Sequence, residues 1–354
     1  MALARVQRSD SVHARPLAVV QSFRVIRSTT NPYLSQLVDA MPTDVEILPF
    51  SWPRAVFGRY DVLHVHWPEH LLRGKPGIRV IARHTLFLML LVRIRLTRIA
   101  LVRTLHNVEA YETGPVIERW LLDRCDRETS LWIRLNPRSP LPYDAESRTI
   151  VLGDYRDWFR AHQRTPAVSG RFLIFGLIRP YKGVEGLMEA FAKVNDPSLS
   201  LRVVGKPNSA ELAREVTRLA SLDTRIGASL DYVDDETLAA EIGAAELVVL
   251  PYRAMHNSSA LLLALSLERP VLVPANEITT ALMAEVGSAW VHTFEGDLTS
   301  ATIEEARDWL GSRHPDRAPD LSGREWTTIG LQHLDAYRAA VTTQHYTRRG
   351  SEQS

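Results

Sequence analysis

An α/β architecture of two Rossmann-like halves facing a central cleft is what the sequence predicts, on three observations. Short apolar runs alternate with helical patterns from end to end, as in mostly parallel sheets wrapped by helices. Near the middle, residues 164–170 (Arg-Thr-Pro-Ala-Val-Ser-Gly) form a polar stretch whose Pro and Gly suit a linker. The 354 residues suffice for two domains of ordinary size, each with its own core.

The first half should hold strands at residues 16–23, 45–50, 61–67, 99–105, 129–136 and 148–153, with a helix opening at Asn31 or Pro32. The second half repeats the plan at 172–178, 199–205, 225–233, 246–252, 270–274 and 289–294. Asp234-Asp235 reads as a helix cap after a strand rather than a metal motif, and no metal is expected. The expected division is 1–165, 166–325 and 326–354. The last part is a helix at about 325–341 carrying Trp326, Leu331, Leu334 and Tyr337, expected to cross back to the first domain, then a frayed tail.

Composition narrows the function classes. Hydrophobic residues make up 45% and charged residues 23%, as in a globular protein rather than a disordered one. A formal net charge of +1 gives no global pull towards nucleic acid, and none is expected as a partner. Cys125 is the one cysteine, which excludes an intramolecular disulfide and a cysteine zinc cage. Residues 1–15 carry no apolar core of a secretory signal, so the expected location is the cytoplasm. No Gly-x-Gly-x-x-Gly follows an expected strand, which argues against a dinucleotide enzyme, and no cofactor is expected.

The most informative stretch is residues 172–191, FLIFGLIRPYKGVEGLMEAF. It reads as a buried strand, a short basic turn, and a helix with an apolar stripe at Val184, Leu187, Met188 and Phe191. Arg179 and Lys182 therefore lie at the carboxyl edge of a sheet, where ligands of open α/β folds bind. The chain uses four lysines against thirty-eight arginines, so a lysine here is conspicuous. Residues 251–274 repeat the scheme: Tyr252 ends a strand, Asn257 or Ser258 caps a helix, and Ser259 opens it. Unpaired N–H groups and the helix dipole suit an anion there. Arg179, Lys182 and this helix start together describe a diphosphate site.

These two motifs, with Asp61-Val-Leu-His-Val-His-Trp-Pro-Glu69 and Thr104-Leu-His-Asn107, resemble the GT-B glycosyltransferases. Among them the chain is most similar to bacterial exopolysaccharide enzymes that include the xanthan-type β-1,4-mannosyltransferases. The resemblance covers most of the chain. It implies a nucleotide-diphosphate sugar donor in the second half, with Arg179, Lys182, Tyr252, Asn257, Ser258 and Ser259 as its binding residues and no metal required. It further implies a glycan or polyprenyl-diphosphate-linked acceptor. One departure stands out: the glutamate pair that many retaining members carry around this helix falls here on Met255 and Leu263, which favours inversion.

Inversion needs a base for the acceptor proton. Glu69, at the end of the third strand, is the first candidate and His106 the second, with Trp67, Asn107, Asn31 and Tyr33 as acceptor contacts. The competing reading makes His64 a satisfied strand histidine and Trp67-Pro68 a packing corner.

Residues 71–108 contain no acidic residue but eight cations: Arg73, Lys75, Arg79, Arg83, Arg93, Arg95, Arg98 and Arg103. The apolar run at 86–92 is too short to span a bilayer, which needs about twenty residues. A helix over 79–98 could instead lie on the inner face of the membrane, or be a buried helix with basic ends. The resulting expectation is an inverting, metal-independent hexosyltransferase, with GDP-mannose as a candidate donor, in cell-surface polysaccharide synthesis. The alternatives are a sugar-nucleotide epimerase of the same fold and a non-catalytic membrane-surface scaffold.

Overall fold

The computed structural model describes residues 15–24, 31–74, 77–106, 114–163, 165–253, 257–315 and 317–351. Two six-stranded sheets form the frame. The first holds β1 (Leu17–Gln21), β2 (Val45–Pro49), β3 (Val62–Val65), β4 (Ala100–Leu105), β5 (Leu131–Arg134) and β6 (Ser147–Thr149), ordered β2-β1-β3-β4-β5-β6. The second holds β7 (Arg171–Phe175), β8 (Ser200–Val204), β9 (Ile226–Ser229), β10 (Leu247–Val249), β11 (Val271–Pro274) and β12 (Val291–Phe294), ordered β12-β11-β10-β7-β8-β9. Every strand pair is parallel, so each connection within a sheet must cross over; helices make each crossing except that from β5 to β6, where residues 135–146 cross without one. Eleven of the twelve strands lie where the apolar runs place them; β6 is the short polar Ser147–Thr149, overlapping only the start of the expected 148–153.

The first half carries α1 (Pro32–Asp39), α2 (Trp52–Phe57), α3 (Glu69–Leu72), α4 (Ile78–Leu96) and α5 (Val116–Arg127). The second carries α6 (Val184–Ala192), α7 (Ala210–Leu222), α8 (Asp235–Ala244), α9 (Ser259–Ser266), α10 (Glu277–Val286), α11 (Ser300–Ser312) and the start of α12 (Trp326–Ser351). The expected stripe of α6 is buried at all four positions. Asp234 caps α8, its carboxylate accepting from the Thr237 N–H.

The long helix α12 crosses back onto the first half, packing on α1, β3, β4 and β5. It buries Ile329, Leu334, Ala336, Tyr337 and Ala340, whereas Leu331 is half exposed. A Cβ on Gly330 would lie 1.9 Å from the Ala40 carbonyl oxygen, so only glycine lets α12 approach the end of α1 this closely. One expectation is corrected: the helix does not stop near 341. It runs to Ser351 because nothing between 341 and 349 is a Pro or Gly breaker.

The two crossings between the halves run side by side. The Asp154 N–H donates to the Arg324 carbonyl (3.0 Å), Arg324 Nη1 to the Leu152 carbonyl (3.0 Å), and Trp326 Nε1 to the Asp154 carbonyl (2.7 Å). One apolar cluster continues through this junction, from Val19, Val102 and Ile133 past Tyr155 and Phe159 to Leu173, Val248 and Val271.

Where α12 meets the first sheet it covers polar groups. Tyr337 Oη lies 2.8 Å from His64 Nδ1 and accepts from Gln21 Nε2 at 3.1 Å; His64 Nε2 lies 2.8 Å from Thr104 Oγ1. His64 is thus a satisfied strand histidine. His333, on α12, places Nδ1 2.8 Å from the Ile329 carbonyl. Burial holds His64 and His66 well below the ordinary imidazole range and His333 at about 4. The unfolded chain binds protons at these sites from about pH 6.5 downward while the fold does not, so stability is full above that value and falls below it. We expect the urea midpoint to drop between pH 6.5 and 4.5, by up to about 1.4 kcal/mol per pH unit for each histidine. A flat midpoint over that range would contradict this burial.

Candidate functional site

Sheet topology decides where a ligand can sit. The strand order of the second sheet reverses between β7 and β10, and open α/β sheets bind ligands in the crevice at such a reversal. The loop after β7 carries Arg179 and Lys182; the loop after β10 carries Tyr252, Asn257 and Ser258. These loops touch: the Arg253 N–H donates to the Tyr181 carbonyl at 2.9 Å, and the rings of Tyr181 and Tyr252 meet edge-on at 5.9 Å.

Lys182 ends a short 3₁₀ turn, Pro180–Lys182, and is buried, with Nζ 5.0 Å from the centre of the Tyr252 ring. Gly176 makes room for it: its φ is +92°, and a Cβ there would stand 3.1 Å from Nζ. Among the described residues no carboxylate pairs with this ammonium. Burial first, and the neighbouring Arg179 charge second, push its pKa down to about 8. A buried ammonium without a paired carboxylate, next to a second cation, is a site prepared for an anion.

Ser258 is the N-cap of α9, its hydroxyl accepting from the Leu261 N–H at 3.2 Å. That bond takes the Leu261 N–H, which leaves the N–H groups of Ser259 and Ala260 at the helix start to offer a ligand. Ser259 is exposed, its hydroxyl engaged with Tyr155. Tyr252 is buried beneath Lys182 and acts as a floor. Asn257 faces the other half, Nδ2 donating to the His106 carbonyl at 3.1 Å. Asn257 and Ser258 also line a cavity of about 240 Å³ with Asn136, Leu261, Leu262 and Thr279. Leu263 is buried in α9, in line with its inability to hold a ribose; Met255 lies outside the described residues.

In the first sheet the strand order reverses between β1 and β3, and there Gln21 Oε1 lies 3.1 Å from His66 Nε2. His66 Nδ1 lies 3.1 Å from His106 Nε2, and Trp67 stacks on His106 at 4.1 Å and 22°. Glu69, Trp67 and His106 line one cavity of about 270 Å³ with Arg103, Asp126 and Trp132. Arg103 pairs with Asp126 and lies 4.6 Å over the Trp132 ring. Burial, aided by Arg103, lowers the His106 pKa to about 3.

Three acceptor-side expectations fare differently. Tyr33 is 3% exposed, edge-on to His66, His106 and Trp326, so it supports the histidines from below and does not reach a substrate. Asn31 caps α1, its Oδ1 accepting from the Tyr33 N–H at 3.1 Å, which removes that oxygen from acceptor binding. Asn107, like Glu109 and Glu112, lies outside the described residues. Gln21 was not named from the sequence, and His66 and Tyr337 were noted only as part of a motif and of the last helix, without a role at the site. The i, i+2 spacing of His64 and His66, which puts both on one strand face, was the available signal.

Of the expected basic stretch, Arg73 pairs with Glu118, Arg95 with Glu128 and Arg103 with Asp126, while Arg93 donates to the Ala55 and Gly58 carbonyls. Lys75 lies outside the described residues. The apolar side of α4 is more telling. Ile78, Ile81, Leu88, Met89, Val92 and Leu96 are exposed along one side of a 19-residue helix, and Val116, Ile117 and Trp120 are exposed on α5 packed beside it.

The chain is similar to known proteins over nearly its whole length. Residues 169–302 match the family described as glycosyl transferases group 1. A GDP-mannose:glycolipid 4-β-D-mannosyltransferase of Xanthomonas campestris pv. campestris is 44% identical over 327 residues, covering 92% of this chain and 93% of that one. Among solved structures, sucrose-phosphate synthase from Thermosynechococcus elongatus superposes with a TM-score of 0.61 at 15% identity, over 92% of this chain and 98% of that one. Anabaena HepE in complex with UDP gives 0.57 at 14% identity, over 92% and 100%. These likenesses make the fold GT-B.

The Lys182 site has a measurable cost. The unfolded lysine stays charged up to about pH 10.4. Below about pH 8 the fold therefore carries the whole penalty of the buried charge, which fades as pH rises from there towards 10.5. Lys182→Met should raise stability at pH 7 by up to about 3 kcal/mol and flatten the rise above pH 8. Urea denaturation checks this, and a less stable Met variant would contradict it.

Proposed function

The chain belongs to the glycosyltransferase family of the Xanthomonas GDP-mannose:glycolipid 4-β-D-mannosyltransferase, and from that membership we propose the substrates and the roles of its residues. The enzyme is a nucleotide-sugar-dependent glycosyltransferase of polysaccharide biosynthesis. In our reading the donor is GDP-mannose, the acceptor is a lipid-linked glycan, residues 1–165 hold the acceptor and residues 166–325 the donor. The observation that carries the donor assignment is the buried Lys182 ammonium, with no carboxylate paired to it among the described residues, beside Arg179 and the α9 start. A diphosphate there would satisfy both cations and restore the ammonium. The epimerase and scaffold alternatives draw no support from the relatives.

A β-mannoside made from an α-linked donor requires inversion. The acceptor oxygen bonds to the anomeric carbon as the bond to the β-phosphate oxygen breaks, and the electron pair leaves with the diphosphate. Arg179, Lys182 and the first-turn N–H groups of α9 take up that charge. The acceptor proton goes to a base in the cavity shared by Glu69, Trp67 and His106, and Trp67 offers an aromatic face to the sugar. Lys182→Ala should weaken GDP binding by about 10- to 100-fold, the worth of a charge-assisted hydrogen bond, and reduce mannose transfer with it. Unchanged GDP affinity by calorimetry in a folded variant overturns the donor site.

We also place α4 on the membrane surface. Among the described residues no helix is long and apolar enough to cross a bilayer, but an apolar strip about 27 Å long suits interfacial burial. Most of the basic side chains near it are engaged in the fold, so the binding should rest on apolar contact more than on charge. Ile81→Glu with Val92→Glu should abolish co-sedimentation with anionic phospholipid vesicles, while the wild type stays bound in 0.5 M salt (roughly a 4 Å screening length). Full vesicle binding by the double variant refutes the placement.

A further inference from the structure

The hydrogen-bonded chain behind His106 has a direction. Gln21 Nε2 donates to Tyr337 Oη, so Gln21 Oε1 faces His66 and must accept from His66 Nε2–H. His66 Nδ1 is then a bare lone pair, and the contact to His106 at 3.1 Å is satisfied when His106 Nε2–H donates. On the other side, Tyr337 Oη donates to His64 Nδ1, and His64 Nε2–H donates to Thr104 Oγ1. Every member then gives and receives in one sense, and the neutral imidazoles that burial enforces are the forms this pattern needs. The end of the chain is His106 Nδ1, which has no hydrogen-bond partner among the described residues, on a ring that stacks against Trp67 and lines the acceptor cavity.

We infer that Gln21, His66 and Tyr337 are positioning residues that hold His106 as its Nε2–H tautomer, presenting Nδ1 to the acceptor hydroxyl as the base of the transfer. This rests on the glycosyl-transfer reading above and chooses His106 over Glu69 within it. In the step, the acceptor hydroxyl proton moves to Nδ1 as the oxygen–carbon bond forms and the diphosphate leaves with its electron pair. The imidazolium so made keeps its Nε2–H on the His66 lone pair. The incoming donor brings negative charge close to His106, because the backbone of that residue is tied through its carbonyl to Asn257, next to the α9 start. That charge raises the basicity that burial lowers. Glu69, at the same cavity, is left to hold sugar hydroxyls. Tyr337 makes the chain dependent on α12: without its hydroxyl the Gln21 amide is free to turn over, which reverses the chain and puts the hydrogen on Nδ1.

Long-range ¹H–¹⁵N correlation spectra of the histidine rings read the tautomer directly, without substrate. The wild type should show His106 as Nε2–H. Tyr337→Phe and Gln21→Leu should shift it towards Nδ1–H or a mixture. With GDP-mannose and a phytanyl-diphosphate-linked oligosaccharide as probes, both variants should lose about tenfold in kcat with donor and acceptor KM unchanged, whereas a general loosening of the fold would raise KM as well. Glu69→Gln should retain more turnover than His106→Ala. A wild-type His106 found as Nδ1–H, or a tautomer and kcat unmoved in Tyr337→Phe, overturns the positioning role. Full activity in His106→Ala overturns the choice of base while leaving the donor site, tested by GDP binding, standing.

Discussion

The hydroxyl of Tyr337 is the contact on which the two halves depend. It comes from the last helix, reaches into the first sheet, and joins Gln21 on β1 to His64 on β3 at the point where the strand order reverses. A buried phenol is costly unless both its donor and its acceptor capacities are met, and here two chain-distant segments, β1 and β3, meet them. The same contact keeps α12 over the sheet, closes the histidines away from water, and so sets the protonation of every ring between Thr104 and the cleft.

Most of the frame was legible because parallel sheets write themselves as apolar runs. Strands covered on both faces need Val, Ile, Leu and Phe in succession, and turns between them need polar residues, so all but the polar edge strand β6 could be placed from the sequence. The basic turn was legible for a related reason: a lysine in an arginine-rich chain, at a strand end, has few structural uses. What the sequence hides is long-range pairing. Nothing local links Tyr337 to Gln21, 316 positions away, or tells that Tyr33 lies beneath histidines instead of beside a substrate. The arginines of residues 71–108 mislead for the same reason, since their partners Glu118, Asp126 and Glu128 lie outside the stretch that looks so basic.

The two sides of the cleft solve opposite electrostatic problems. On the proposed donor side the fold holds an ammonium against an aromatic ring, with a second cation beside it, a cost that a diphosphate bound there would offset. On the acceptor side it strips charge away, keeping four imidazoles neutral by burial. In the proposed reaction a developing negative charge would therefore meet fixed positive charge at one wall and unprotonated nitrogen at the other. Asn257, reaching from the α9 loop to the His106 carbonyl, holds those walls in register.

The side-by-side crossings at Leu152–Asp154 and Arg324–Trp326 have a mechanical meaning. Two chains that pass between bodies at separate places lock them; two that pass together, bonded to each other, act as the single leaf of a hinge. Rotation about that leaf opens or shuts the cleft while the paired strap bends as a unit. Sliding or twisting would shear the strap's own hydrogen bonds and the Trp326 indole with them. Rotation about the strap is thus the motion that breaks none of its hydrogen bonds, and it is the one along which a donor and an acceptor held on the two halves would approach each other.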